Sequence, residues 1–190
     1  MREEIIRCFN ESTEVKQAVV RSEVETIEQI TEMMVDTYKE NGKVIAFGNG
    51  GSAADAQHIV AELMSRFEKE RRALPAIALS TNSSTVTAIA NDYDYDLVFS
   101  RQLEVLLNNS DAVIGISTSG NSRNVIKAIE LANAKGAKTI ALTGGNGGKL
   151  AKIATIALTV PSNSVARIQE VHITIIHIVC MLIEKWLAKP

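Results

Sequence analysis

The chain has 190 residues, 46% of them hydrophobic, and a formal net charge of −2. A chain of this length and composition is expected to form one domain with a substantial core. The charge balance argues against nucleic-acid binding as the main function, because phosphate backbones are bound by clustered Lys and Arg.

The N-terminal sequence and the cysteines indicate the compartment. The opening residues, MREEIIRCFNES, lack the apolar segment of a secretory signal, and no apolar run approaches the ~20 residues that a membrane span needs. Cys8 and Cys180 lie far apart and show no metal-ligand spacing, which is typical of reduced thiols. We therefore expect a soluble, cytoplasmic protein that does not contact the membrane.

Residues 1–41 form an N-terminal helical segment, and residues 42–190 form the α/β part of a single domain. Apolar residues recur at helical spacing in the first segment, and the pattern predicts two helices with a break near Arg21 and Ser22. Their apolar stripes exceed what one edge of a small sheet can cover. We expect these helices to be used in oligomerisation; the alternative is that they are ordinary core helices.

Strands and helices alternate from Val44 onward. A final helix is predicted over Ala166–Ala188. Short connections of this kind predict a doubly wound, five-stranded parallel sheet flanked by helices, with ligands at the carboxyl ends of its strands. The five predicted strands are Val44–Phe47, Pro75–Leu79, Asp111–Ile116, Thr139–Leu142 and Ile156–Val160.

The first candidate site follows the first strand. A glycine turn, Gly48–Gly51, leads into a helix for which Ser52 is the expected N-cap, and such a helix start can bind an anion. His58 and Glu62 are four residues apart, so they share one face of that helix. The alternatives are a plain glycine turn and an ordinary surface pair of side chains.

A second candidate site follows the third strand. Four hydroxyl side chains occur within six residues between the strand and the next helix: Ser117, Thr118, Ser119 and Ser122. Hydroxyls and backbone N–H groups can hold a phosphate here without a lysine. Helix capping is the alternative, but it needs one hydroxyl and not four.

Three further segments carry polar residues, glycines or histidines. The polar stretch Asn91–Asp96 is predicted as an acidic loop that is either plain surface or the rim of a site. The turn Thr143–Gly148 is interpreted as a glycine turn into a short helix, and not as a third site loop. Two of the three histidines, His172 and His177, lie on the final apolar helix, where a histidine is usually a hydrogen-bonded core residue.

The chain resembles the sugar isomerase (SIS) domain family and, within it, the bacterial phosphoheptose isomerases. The resemblance runs from about Asn41 to Lys185 and is carried by GNGGSAADAQHIVAEL, ALPAIAL, AND, GISTSGNSRNVIKAI, ALTG and RIQEVHITIIHI. It implies isomerisation of sedoheptulose 7-phosphate to D-glycero-D-manno-heptose 7-phosphate, which leads to ADP-heptose and the lipopolysaccharide core. It also implies a cytoplasmic homotetramer with active sites between subunits and one zinc ion per subunit.

The same resemblance implies roles for particular residues. Glu62 and His177 would be the catalytic acid/base pair. Zinc would be held by His58, Glu62, Gln169 and His177. Substrate would be bound by Asn49, Gly50, Gly51, Glu62, Asn91, Asp92, Ser117, Thr118, Ser119, Ser122 and Gln169.

Two questions stay open at the level of sequence. Gln169 and His177 stand about 12 Å apart along a straight helix, so either Gln169 precedes the helix or a second subunit supplies one ligand. The family also contains the non-catalytic DnaA-initiator-associating protein, which the segments REEIIRCFNES and RFEKERRALPAIAL resemble. The presence of both Glu62 and His177 favours the enzyme.

Overall fold

Residues 1–187, which the computed structural model describes, form eight helices and five strands. In chain order these are α1 (Arg2–Ser22), α2 (Val24–Lys39), β1 (Val44–Gly48), α3 (Gly51–Met64), β2 (Ala76–Ala78), α4 (Ser83–Asp92), α5 (Ser100–Leu106), β3 (Ala112–Ser117), α6 (Arg123–Ala134), β4 (Lys138–Gly144), α7 (Leu150–Ile153), β5 (Ile156–Val160) and α8 (Val165–Leu187). A 3-10 turn, Tyr95–Leu97, precedes α5. The predicted last residue of the final helix, Ala188, lies outside the described residues.

The five strands form one parallel sheet in the order β2-β1-β3-β4-β5. The chain passes from β1 to one side and then returns to place β3 on the other side, so the strand order reverses between β1 and β3. Gly48 at the end of β1 pairs with Ile116 near the end of β3. Ligands in such sheets bind in the crevice at this reversal, which here lies between the glycine turn and the hydroxyl loop.

Helices cover both faces of the sheet, as the sequence predicts. Alternate strand residues point to opposite faces, so Val44 and Ala46 join one apolar cluster while Ile45 and Phe47 join the other. The first cluster contains residues of α2, α3 and α8. The second contains residues of α5, α6 and α7. The doubly wound prediction is therefore confirmed.

The two N-terminal helices differ in how much of their surface the chain itself covers. Seven residues of α2 are buried, including Met34 and Val35 in the first cluster, so α2 is a core helix. In α1 the buried residue is Val19, and Phe9 is 72% exposed. The break between the helices falls at Glu23, next to the predicted position.

Helix α8 is long and apolar enough, with a mean hydropathy of 1.5, to cross a membrane by length and composition alone. It packs against the sheet, α2 and α3 as part of the first cluster, and it buries His172 and Glu184 against polar partners. We therefore assign it as a core helix.

His172 is a fully buried side chain, and its Nε2 lies 3.0 Å from the Thr143 carbonyl oxygen. Burial lowers the pKa of His172 to about 4, while the bond to Thr143 acts in the opposite direction. It stays neutral in the folded protein at neutral pH and is a core residue, as is usual for a histidine on an apolar helix.

This depressed pKa predicts an acid-sensitive contribution to stability. Below its usual pKa of 6.5 the unfolded chain binds a proton that the folded chain refuses until about pH 4. The free energy of unfolding should therefore fall by about 3 kcal/mol as pH drops through that window. Urea unfolding of the wild type and His172→Gln should show a smaller pH slope for the variant. Equal slopes would contradict the assignment.

Helix α4 corrects one prediction. Asn91 and Asp92 were expected in a loop that begins at Asn91, but α4 continues through Asp92. The helix begins where Asn82 accepts a hydrogen bond from the Thr85 N–H, a side-chain cap that the sequence placed only approximately. Polar residues such as these are typical of a helix end and also fit the exposed last turn of a helix.

Candidate active site

The first site element is the turn from β1 into α3. Gly50 is the N-cap of α3 and has a φ of 56°, which favours glycine. The prediction that Ser52 caps the helix is wrong, because Ser52 lies inside α3 and is buried. Its side chain packs against Gly48, where a Cβ would lie 2.7 Å from the Ser52 Cβ. The turn is therefore built for close approach between β1 and α3.

Three side chains from α3 and α8 meet in one cluster. Glu62 Oε1 lies 3.1 Å from His58 Nε2, one turn away on α3. His177 on α8 places its own Nε2 3.1 Å from His58 Nε2. The structure thus brings together His58, Glu62 and His177, although His58 and His177 are 119 residues apart in the sequence.

The donor set of this cluster suits a divalent cation. One ligand atom from each of His58, Glu62 and His177 lies within 4.8 Å of the others. A neutral pair of imidazoles at this distance forms one N–H···N hydrogen bond, and a cation bound by both nitrogens and the carboxylate would replace that bond. Two histidines and one carboxylate are a donor set of catalytic zinc sites. The residues present therefore fit a metal ion.

Gln169, the expected fourth ligand, lies inside α8 and packs over the start of α3. A Cβ at Gly51 would lie 2.4 Å from Gln169 Nε2, so Gly51 leaves the space that Gln169 fills. The idea that Gln169 precedes the helix is wrong, since α8 begins at Val165. Gln169 and His58 both line an open cavity between α3 and α8.

Asp55 lines the same cavity, one turn before His58. Burial raises the pKa of Asp55 to about 6, and the neighbouring His58 acts in the opposite direction. Its Oδ2 is buried without a hydrogen-bond partner. No sequence pattern predicts a role for Asp55 beyond a place in the first turn of the helix.

The hydroxyl loop after β3 forms the second part of the site. Ser122 is the N-cap of α6, but its side chain does not cap the helix. Its Oγ lies 2.9 Å from Ser117 Oγ, and Ser119 Oγ accepts the Asn121 N–H at 3.2 Å. The three serine hydroxyls therefore bond within the loop, and in the first turn of α6 the Val125 N–H donates instead to Asn124 Oδ1 at 2.9 Å.

A cavity of about 530 Å³ opens beside this loop, with Thr118 and Ser119 on one wall. The opposite wall includes Gly144, Gly145 and Asn146, so the turn after β4 is more than a connection into α7. Gly120 has a φ of 64°, and a Cβ there would lie 2.0 Å from the Gly147 carbonyl oxygen. The two loops are therefore held in direct backbone contact.

Asn49 connects the two parts of the site. Its side-chain amide exchanges two hydrogen bonds of 2.9 Å with Asn124 on α6. The Tyr95 hydroxyl donates to Asn49 Oδ1 at 3.0 Å. Asn124 and Tyr95 were missed from the sequence, although both lie within segments that had been considered.

Asn91 and Asp92 lie in the last turn of α4, where Asn91 Nδ2 donates to Asp92 Oδ1 at 2.9 Å. Both side chains are exposed and bond to each other. Their proposed part in substrate binding therefore rests on the sequence resemblance.

Comparisons with known proteins agree with this geometry. A SIS domain family model matches residues 8–144. The chain is 51% identical to the phosphoheptose isomerase of Aquifex aeolicus, over 97% of each chain. The phosphoheptose isomerase of Geobacter metallireducens is 51% identical over the full length of both. The solved structure of the phosphoheptose isomerase from Neisseria gonorrhoeae superposes with a TM-score of 0.92, at 44% identity over 97% of this chain and 98% of that one.

A doubly wound sheet with a hydroxyl loop at its strand reversal defines the class of the protein. The chain belongs to the SIS domain family and, within it, to the phosphoheptose isomerases.

Proposed function

We propose that this chain isomerises sedoheptulose 7-phosphate to D-glycero-D-manno-heptose 7-phosphate, a step toward ADP-heptose and the lipopolysaccharide core. The observation that carries the proposal is the meeting of His58, Glu62 and His177 between α3 and α8, two helices that both begin at the carboxyl-terminal edge of the sheet, where the hydroxyl loop lies. The near full-length identity to phosphoheptose isomerases supports the choice of sugar. The DnaA-associating alternative is not favoured, because Glu62 and His177 are both present and lie in one cluster.

The chemistry requires a proton to move between C1 and C2 of the open-chain sugar. Glu62 accepts the proton from C1 while His177 gives a proton to the C2 carbonyl oxygen, and an enediol forms. Return of a proton to C2 and loss of the O1 proton then give the aldose. No atom is gained or lost, so a carboxylate and an imidazole are sufficient proton carriers.

The hydroxyl loop would hold the far end of the substrate. Ser117, Thr118, Ser119 and Ser122, with the N–H groups that begin α6, would bind the 7-phosphate. Asn49, Gly50 and Gly51 would contact the sugar chain from the neighbouring turn, and Asn91 and Asp92 would complete the binding set. Fixing the phosphate would orient C1 and C2 toward Glu62.

One zinc ion per subunit would be held by His58, Glu62 and His177, with Gln169 as a fourth ligand. When bound, zinc would supply Lewis-acid stabilisation of negative charge on the substrate oxygens. Gln169 also belongs to the proposed substrate set, because it fills the space over Gly51 beside the cavity.

The protein would act as a cytoplasmic homotetramer. Support comes from α1, where Ile5 and Ile6 are about half exposed and Phe9 is 72% exposed, an apolar surface that a neighbouring chain would cover. Gln169 and His177 are separated along α8. A neighbouring subunit that supplies one of the zinc ligands would therefore also complete the site.

The direct test is an isomerase assay. Zinc-loaded protein incubated with sedoheptulose 7-phosphate should form the aldose phosphate, detected by NMR of the sugar. A chelator should lower the rate, and added zinc should restore it. A folded, zinc-loaded protein that forms no aldose phosphate would overturn the proposal and leave a binding function for the same fold.

A further inference from the structure

Arg71, in the charged turn between α3 and β2, forms a buried ion pair with Glu184 on α8 and also bonds the Glu62 backbone. From its sequence, Arg66–Arg72 resembles a solvated linker. In the structure the Arg71 and Glu184 side chains are only 10% and 2% exposed, and Arg71 Nε lies 3.1 Å from Glu184 Oε1. A buried ion pair needs further hydrogen bonds to satisfy its charges. The groups that bond Arg71 and Glu184 therefore identify the segments that the pair holds in place.

Glu184 organises the turn. Its carboxylate accepts the backbone N–H groups of Phe67, Glu68 and Lys69 at 2.7, 2.9 and 3.0 Å. Burial acts to raise the pKa of Glu184, but these three N–H groups and Arg71 outweigh it, and the pKa lies below its usual value. The carboxylate is therefore a charged anchor for the loop that follows α3.

Arg71 organises the end of α3. Its Nη2 donates to the Glu62 carbonyl at 2.6 Å, and its Nη1 donates to the Leu63 and Ser65 carbonyls at 2.8 and 3.3 Å. The last carbonyls of a helix lack partners within the helix, and a cation there also complements the helix dipole. One guanidinium thus holds the turn of α3 that carries Glu62.

These contacts connect the two catalytic helices. Glu184 follows His177 by seven residues on α8, so both lie on the same face. Arg71 bonds Glu184 on one side and the backbone of Glu62 on the other. Glu184 also holds the Phe67 backbone, and the Phe67 ring lies 5.6 Å from the His177 ring.

We propose that Arg71 and Glu184 are positioning residues that set the placement of Glu62 relative to His177. The inference rests on the proposed acid/base roles of that pair. Neither side chain touches the reacting atoms. Each acts through the helix turn and the loop that it holds.

The test compares Glu184→Gln and Arg71→Lys with a matched control, Asp111→Asn. Asp111 is also a buried carboxylate that accepts two backbone N–H groups, those of Lys43 and Asn108, together with the Lys43 ammonium. Its bonds hold the residues that precede β1 and β3, whereas those of Glu184 and Arg71 hold α3 and the loop that follows it. All three variants should lower the melting temperature, so thermal stability alone does not separate positioning from general support.

Kinetics and zinc affinity distinguish a positioning role from a general contribution to stability. Glu184→Gln and Arg71→Lys should lower kcat by roughly tenfold to a hundredfold, since small misplacements carry such costs, with little change in KM. Both should also weaken zinc binding, measured by competition with a chromogenic chelator, whereas Asp111→Asn should match the wild type in both readouts. Arg71→Lys keeps the charge beside Glu184 and serves where Glu184→Gln fails to fold.

Either folded variant with wild-type kcat and wild-type zinc affinity would overturn the inference. If the wild type shows no turnover, the proposed function fails, but the zinc comparison between the variants and Asp111→Asn still decides whether the pair positions the cluster.

Discussion

Glu62→Gln is expected to abolish isomerisation, with kcat lower by about 10³-fold and substrate binding largely retained. The substitution keeps the size of the side chain but removes the carboxylate that lies with His58 and His177. General-base catalysis typically contributes 10²–10⁴-fold, and a ligand to the metal would be weakened as well. Progress curves with sedoheptulose 7-phosphate give kcat, and calorimetric titration of the inactive variant gives substrate affinity.

The binding measurement is the control for Glu62→Gln. If the phosphate is held by the hydroxyl loop, affinity should change by less than about tenfold, because the loop lies on β3 and α6 and Glu62 on α3. Turnover comparable to the wild type would reject Glu62 as the base. Loss of all binding would instead place Glu62 chiefly in substrate recognition.

His177→Gln is the second large expected effect, a loss of about 10² to 10³ in kcat. Glutamine can hydrogen-bond to His58 across α3 and α8 but cannot carry a proton through the reaction. Progress curves with sedoheptulose 7-phosphate at saturating zinc provide the test.

His58→Gln is the matched comparison, because it removes the other imidazole of the same 3.1 Å contact. If His177 transfers protons and His58 only binds metal, saturating zinc should restore much more activity to His58→Gln than to His177→Gln. Equal restoration of both variants would assign His177 to metal binding alone.

The sheet could be predicted because its strands are short apolar runs buried on both faces. Residues 156–160 of β5 match the prediction, and the other strands differ by one or two residues at one or both ends. Such runs carry their own signal in the local sequence. The end of α4 and the cap of α3 could not be placed, because polar residues and glycines serve equally as helix ends, last turns and loops.

The candidate site was predictable only where its residues are close in sequence. His58 and Glu62 share a helix face, and the serines share a loop, so spacing alone groups them. The contact between His58 and His177 spans 119 residues, and that between Phe67 and Glu184 spans 117. Contacts at that range depend on how α8 packs on α3, and no local pattern encodes it.

The close backbone contact between Gly120 and Gly147 would affect the binding of phosphate. Neither position has room for a side chain, so the loops after β3 and β4 must shift together or not at all. The hydroxyl loop and the turn after β4 would consequently hold the same arrangement before an anion binds. Little chain entropy would be lost when an anion binds, which favours tight binding by neutral hydroxyls.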